Sequence, residues 1–190
     1  LGDVNSALDA IDDKTDWGYV LTNGSPSVDH AAILTLTPIS GLKVNASYAS
    51  GDDYGTTAGE GYAFSGSYAV GEIATVGAGK MYNADDSEAV IMNVSGSAGP
   101  IGLAAEVYTD TTAAGVDTDT TTMSATYSID SYTFGVETMK AESAGTVSSD
   151  ELTWGIHQTV APGLVAFAEM TSDDKTASEK TTAFGITMKF

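Results

Sequence analysis

The sequence contains no cysteine and no arginine, and only 7 lysines stand against 26 acidic residues. Without cysteine, a disulfide framework and a cysteine-based metal site are both excluded. The net charge of −19 argues against a nucleic-acid partner, because that function depends on Lys and Arg neutralising phosphates. No apolar run approaches the ~18 residues of a transmembrane helix. A membrane barrel stays open, since its strands are short and only alternately apolar.

Short segments with alternating apolar and polar residues make up most of the 190-residue chain. Because successive side chains of a strand point to opposite faces, each such segment has one apolar and one polar face. The fourth and tenth of these segments alternate less cleanly, so their faces stay unassigned. We predict eleven strands, at residues 29–37, 42–50, 61–70, 72–82, 88–96, 101–109, 120–129, 132–140, 151–160, 163–171 and 180–190.

The connections between these strands alternate in length. Tight turns are predicted at residues 38–41, 70–71, 97–100, 130–131 and 161–163, and longer polar loops at 51–60, 83–87, 110–119, 141–150 and 172–179. Tight turns on one side and long loops on the other are typical of an up-and-down barrel in an outer membrane. The predicted fold class is therefore all-β, a transmembrane antiparallel up-and-down β-barrel. A soluble β-sandwich is the alternative, but a sandwich has no reason to alternate so regularly.

Charged residues avoid the predicted apolar faces. Of the 26 carboxylates, only Glu106, Glu137 and Glu169 lie well inside a predicted strand. A water-filled bore would hydrate such groups on the polar face, whereas a charge facing lipid is costly. We predict the pore-wall residues Lys43, Glu106, Glu137 and His157, with Lys80, Lys140 and Lys189 as further basic candidates. We predict the residues of the membrane girdle and barrel closure to be Tyr132, Trp154, Phe184 and Phe190.

The N-terminal segment, residues 1–28, does not alternate with period two, and we separate it from the barrel strands of residues 29–190. Wound as a helix, it places Val4, Ala7, Leu8 and Ile11 on one face. The opposite face carries four carboxylates, Asp9, Asp12, Asp13 and Asp16. We therefore predict a short acidic helix here. A surface helix whose acidic face is simply solvated is the alternative.

The chain resembles the general-diffusion porins of Gram-negative outer membranes, in particular the alphaproteobacterial type. Residues 1–9, Leu-Gly-Asp-Val-Asn-Ser-Ala-Leu-Asp, are similar to the start of that family's pore-constricting loop, and the final strand ends on Phe190 as in the family. The resemblance implies a water-filled homotrimeric channel for passive diffusion of small hydrophilic solutes and ions, set among outer-membrane lipid. It implies that Asp9, Asp12, Asp13 and Asp16 lie at the channel constriction.

An odd number of strands conflicts with a complete bacterial barrel, which has an even number. A 16-stranded porin entered at the constricting loop has eleven strands left. We therefore expect the chain to be the C-terminal part of a larger barrel, or a sequence that lacks its start.

The charge balance departs from the porin pattern, in which acidic loop residues face a basic cluster on the wall. This chain has no arginine, so we predict a negative lumen with a mild preference for cations. The alternative function is a non-conducting barrel or a soluble sandwich with an adhesive or structural surface role.

Enzymatic and metal-binding functions have little support in the sequence. His30 and His157 lack the paired spacing of a metal site, and no Gly-x-Ser-x-Gly motif occurs, so we expect neither an enzyme nor a cofactor. Calcium could bind the carboxylate pairs of the predicted loops through oxygen ligands, but none has the 12-residue calcium-loop spacing. These pairs, for which plain surface charge is the simpler interpretation, are Asp52-Asp53, Asp85-Asp86 and Asp173-Asp174.

Overall fold

The structure is a computed structural model, and it describes residues 4–8, 10–11, 27–28, 31–49, 61–174 and 180–188. These residues form the strands β1 (Val4–Asn5), β2 (Ser27–Val28), β3 (Ala31–Ile39), β4 (Leu42–Ala49), β5 (Gly61–Val70), β6 (Ala74–Asn83), β7 (Glu88–Ala98), β8 (Ile101–Thr111), β9 (Asp117–Ile129), β10 (Tyr132–Ser143), β11 (Thr146–Ala161), β12 (Leu164–Asp173) and β13 (Lys180–Met188). No helix within the described ranges is long and apolar enough to cross a membrane.

Eleven of these strands, β3 to β13, form one antiparallel sheet in which every strand pairs with its neighbours in sequence. The order runs without a crossover from β3 at one end to β13 at the other. β1 and β2 pair only with each other, in a separate two-stranded sheet. The predicted up-and-down arrangement of eleven antiparallel strands is confirmed.

The five predicted tight turns lie at one end of the sheet. They connect β3–β4, β5–β6, β7–β8, β9–β10 and β11–β12, each through two or three residues. Each turn contains a residue with positive φ, which L-amino acids adopt at a cost and glycine adopts freely. Glycine takes this place at Gly41, Gly71, Gly99 and Gly163, and Asp130 takes it in the β9–β10 turn.

At the other end of the sheet, two loop predictions are wrong. The predicted loop 141–150 is the tip of a hairpin, in which β10 and β11 are joined by Ala144 and Gly145 alone. Both residues have positive φ, 49° and 76°, as a two-residue type I′ turn requires. Half of the predicted loop 110–119 is likewise strand, because only residues 112–116 separate β8 from β9. The apolar alternation stops in these segments, but Thr and Ser continue the backbone ladder.

One face of the sheet carries large apolar side chains, with Leu103 61% and Phe184 84% exposed. We call it the apolar face, and the opposite one the polar face. In β8 the apolar face runs from Ile101 to Val107, a stretch of roughly 20 Å at about 3.3 Å per residue. A tilted strand of that length fits within the apolar band of a transmembrane barrel, about 25 Å tall.

Candidate functional site

Residues 6–8 and 10–11 lie against the polar face of the sheet. Ser6, Ala7, Leu8 and Ile11 are all buried. The amide of Ile11 donates to the carbonyl of Leu8 at 2.9 Å, which closes a single turn. Before this turn, Val4–Asn5 pairs with Ser27–Val28, so the chain leaves and returns at the same place. The two short strands therefore bring Asn5 and Ser27 together.

The described residues of this segment do not form the predicted helix. They form a two-residue strand followed by one turn. A helix needs several consecutive hydrogen bonds before it is stable in isolation, and here strand pairing and contact with the sheet replace them. The four carboxylates predicted for the constriction, Asp9, Asp12, Asp13 and Asp16, lie outside the described residues.

An apolar patch on the polar face holds this turn in place. Ala7, Leu8 and Ile11 form one buried cluster with side chains of β5, β6 and β7, and Tyr108 of β8 packs against it. The wall members of the cluster are Ala63, Met81, Ala89 and Ile91. Burying a Leu or Ile side chain fully contributes about 1.5–3 kcal/mol. These apolar contacts therefore hold Ala7, Leu8 and Ile11 on the sheet.

Two hydrogen bonds fasten the two ends of the turn to the wall. The amide of Ala7 donates to Ser47 Oγ of β4 at 2.9 Å. The Asn93 side-chain amide of β7 donates to the carbonyl of Ile11, and the same nitrogen lies 3.4 Å from Glu106 Oε2. The bonds satisfy backbone groups that the turn would otherwise bury unpaired.

Sequence reasoning missed this docking patch, although a signal for it exists. Residues 89–92, Ala-Val-Ile-Met, are apolar at every position rather than at every second one. Such a run indicates a strand that is covered on both faces. In the structure Ile91 is fully buried under the turn, whereas Met92 on the apolar face is 56% exposed.

Three glutamates of the polar face lie on alternate strands, Glu106 on β8, Glu137 on β10 and Glu169 on β12. Each is nearly fully buried, at 3%, 1% and 2% exposure. Glu169 is bonded to His157 of β11, with 2.5 Å between Oε1 and Nε2. The alternation of β8, β10 and β11 predicted this face for Glu106, Glu137 and His157. It gave no face for Glu169, because Leu164–Ala168 is apolar throughout and Phe167 also lies on the polar face beside His157.

Lys43 is exposed on the polar face, where it alternates with Asn45 and Ser47. Lys80 and Lys140 are on the apolar face, so their assignment to the lumen is wrong. Lys80 pairs in register with Phe64, its ammonium lies 2.7 Å from Glu88 Oε2, and it sits 4.7 Å from the centre of the Tyr82 ring. A long side chain at the edge of an apolar band keeps its charged head in water in this way.

Lys140 likewise contacts Glu142 two residues on, at 3.5 Å. Lys189 lies outside the described residues.

The predicted girdle residues Tyr132, Trp154 and Phe184 lie on the apolar face, and all three are exposed. Phe190 lies outside the described residues. Trp154 and Phe184 flank a shallow apolar cleft floored by Ala168. Exposed rings at the ends of an apolar band are typical of a membrane interface.

Asp85 and Asp173, from two of the carboxylate pairs considered for calcium, accept hydrogen bonds from nearby residues. Asp85 accepts hydrogen bonds from the amide and hydroxyl of Ser87, at 3.0 and 2.6 Å, and so closes the β6–β7 connection. Asp173 accepts a 3.4 Å bond from the amide of Asp150. Asp52-Asp53 lies outside the described residues. Within the described part of the chain, no three His, Cys, Asp or Glu side chains are grouped as a metal site would need.

Comparison with known proteins gives one family. A model of Gram-negative porins matches residues 1–188. The chain is similar in structure to OmpF of Salmonella typhi, solved with daunomycin, with a TM-score of 0.80 and 12% identity over 100% of this chain and 73% of that one. A variant porin of Rhodopseudomonas blastica gives a TM-score of 0.76 and 16% identity, over 100% of this chain and 72% of that one. No curated protein matches the chain by sequence.

The structural likenesses support the fold, since eleven consecutive strands superpose on part of a porin barrel. In such a barrel the apolar face meets lipid and the polar face lines a water-filled lumen. The predicted transmembrane β-barrel is thus confirmed. Because the family model covers nearly the whole sequence, the chain belongs to the Gram-negative porins, which makes it a diffusion channel of the outer membrane and not an enzyme.

Proposed function

We propose that residues 1–28 narrow the lumen of this channel and give it a mild preference for cations, with Asp9, Asp12, Asp13 and Asp16 at the constriction. The observation that carries the proposal is the position of Ser6, Ala7, Leu8 and Ile11, which are buried against the lumenal face. A segment fixed there reduces the free cross-section of the pore. Because its flanking sequence is acidic, it brings negative charge to the narrowest part.

The wall charges favour the same selectivity. Of the four lysines that the structure describes, only Lys43 lies on the lumenal face, while Lys80, Lys140 and Lys180 lie on the apolar face. The lumenal face carries the glutamates Glu106, Glu137 and Glu169. A passage lined by charges of one sign raises the local concentration of the opposite ions. Small hydrophilic cations should therefore pass more readily than anions of equal size.

The test is the reversal potential of the purified channel in a planar bilayer under a potassium chloride gradient. We expect the sign that indicates cation preference. Changing Asp9, Asp12, Asp13 and Asp16 together to Asn should lower the cation-to-anion permeability ratio by about a factor of two. The matched control changes Asp117 and Asp119 to Asn, because these carboxylates bond Thr111 and Thr109 near the loop end of β8 and β9.

The control variant should keep the permeability ratio of the unmodified channel. Anion preference in the unmodified channel would refute the proposal. So would a fourfold Asp→Asn variant whose ratio equals that of the control.

The assembly is part of the same proposal. Membership of the porin family supports a homotrimer, and the Leu1–Asp9 pattern supports the alphaproteobacterial type with its constricting loop. We expect light scattering of the unheated channel in detergent, after subtraction of bound detergent, to give the mass of three chains. A sample dissociated by boiling is the control for one chain, and an unheated mass of one or two chains would contradict the trimer.

A further inference from the structure

We infer that Asn93 and Gly77 together set how firmly residues 6–11 are held on the wall, and so act as positioning residues for the opening of the channel. This inference rests on the proposed role of residues 1–28 as the constriction. Neither membership of the porin family nor the acidic pattern of residues 1–28 specifies that these two wall residues hold the turn.

Asn93 is the wall residue that hydrogen-bonds to the C-terminal end of the turn. Its side-chain amide donates to the carbonyl of Ile11, and Asn93 is only 8% exposed. The N-terminal end of the same turn is held separately, through Ala7 and Ser47. The apolar cluster between them keeps the turn against the wall. It does not fix the position of the turn along the wall, because apolar contacts are not directional. The two hydrogen bonds therefore supply the register of the turn along the wall.

Gly77 makes room for the Asn93 side chain. The two residues are opposite each other in the β6–β7 register. A Cβ at position 77 would lie 2.5 Å from Asn93 Oδ1 and 3.5 Å from Ile11 Cβ. The closest atom is thus the end of a flexible side chain and not the barrel backbone. Alanine at this position should turn the Asn93 amide away from Ile11 while β6 stays in place.

The neighbouring Gly79 differs in this respect. A Cβ there would lie 3.1 Å from Ile11 Cδ1 but also 2.9 Å from the backbone carbonyl of Phe64. A substitution at Gly79 would strain the sheet itself, so its effect on the turn could not be separated from its effect on the barrel. Gly77 is therefore the informative position.

The experiment compares single-channel recordings of the full chain with those of Gly77→Ala, Asn93→Ala and the double variant. Without the Asn93 bond, the turn should leave its docked position about tenfold more often, and brief current fluctuations should rise by that factor. Both single variants should show this rise. The double variant should equal Asn93→Ala, because the new methyl group then meets no amide.

Gly102→Ala is the matched control. A Cβ at Gly102, on the same lumenal face, would lie 2.5 Å from Thr126 Oγ1, again the end of a side chain, and its contacts do not include the turn. Ser47→Ala gives an independent variant that removes the other bond without adding volume, and it too should raise the fluctuations. Heat-dependent gel migration of every variant shows whether its barrel has folded.

The inference fails if Gly77→Ala behaves like Gly102→Ala, or if the effects of Gly77→Ala and Asn93→Ala multiply in the double variant. It also fails if Ser47→Ala and Asn93→Ala, both folded, leave the current as quiet as in the unmodified channel. Its failure is distinguishable from that of the proposed function. The fourfold Asp→Asn variant tests selectivity and leaves Ser47, Gly77 and Asn93 unchanged, whereas the Asn93 variants test mobility with the charge unchanged.

Discussion

At the scale of single residues, the backbone conformation of Ala144 is unusual. It has a φ of 49° at the tip of the β10–β11 hairpin, followed by Gly145 at 76°. L-residues with a β-carbon adopt this region at a cost of about 1–2 kcal/mol, and Asn tolerates it better than Ala. The hairpin therefore keeps its two-residue turn although its first turn residue is poorly suited to it.

We expect Ala144→Asn to stabilise the folded barrel by about 0.5–1 kcal/mol, because Asn fits the first position of a type I′ turn. The measurement is the midpoint of urea unfolding in detergent. Ala113→Asn is the matched control, since Ala113 lies exposed in the β8–β9 connection and is not among the residues with positive φ. The control should stay within about 0.5 kcal/mol. A midpoint for Ala144→Asn at or below that of the control would contradict this account of the turn.

Residue contacts also explain which side chains the sequence misplaced. Lys80 was a candidate for the lumen because a charge is costly on the apolar face, although the faces of its strand stayed unassigned. At the edge of that face, however, the ammonium reaches Glu88 and the Tyr82 ring. Charge position along a strand thus matters as much as its face, and periodicity reports only the face.

At the scale of elements, strand positions followed from period-two alternation to within a few residues for most of the sheet. The alternation depends only on which face of a strand meets apolar surroundings, so it can be detected without knowing the tertiary contacts. It failed where both faces share one character. β12 is apolar on both faces around Leu164–Ala168, and the β10–β11 tip is polar on both. There the alternation predicted neither the face of Phe167 nor the end of the hairpin.

The segment before the barrel shows a different reason for error. The spacing of Ala7, Leu8 and Ile11 correctly grouped residues that are buried together, but it assigned them to a helix. One turn with an i, i+3 and i+4 pattern looks the same in sequence whether or not the helix continues. The docking patch of Ala63, Met81, Ala89 and Ile91 decides the outcome, and it is assembled from three strands far along the chain. The constriction charges stay a prediction.

At the scale of the whole molecule, two effects can make a channel selective: electrostatic attraction by acidic residues, and exclusion by size. The chain carries a net charge of −19, and under the proposed function its acidic N-terminal segment acts on passing ions through water. Electrostatic attraction across a water-filled bore is screened by salt, with a Debye length of about 10 Å at 0.1 M and about 3 Å at 1 M. Exclusion by size involves no charge and has no such dependence.

We therefore expect the cation-to-anion permeability ratio to fall toward that of free diffusion as potassium chloride rises from about 0.03 M to 1 M, because the Debye length shortens to about 3 Å and the charges of the channel are screened. The measurement is the reversal potential at a constant concentration ratio across that series. Uptake of an uncharged sugar into liposomes carrying the channel, at matched osmolarity, is the control and should not change with salt. A permeability ratio that is the same at both ends of the series would show that the lumenal charges do not determine which ions pass.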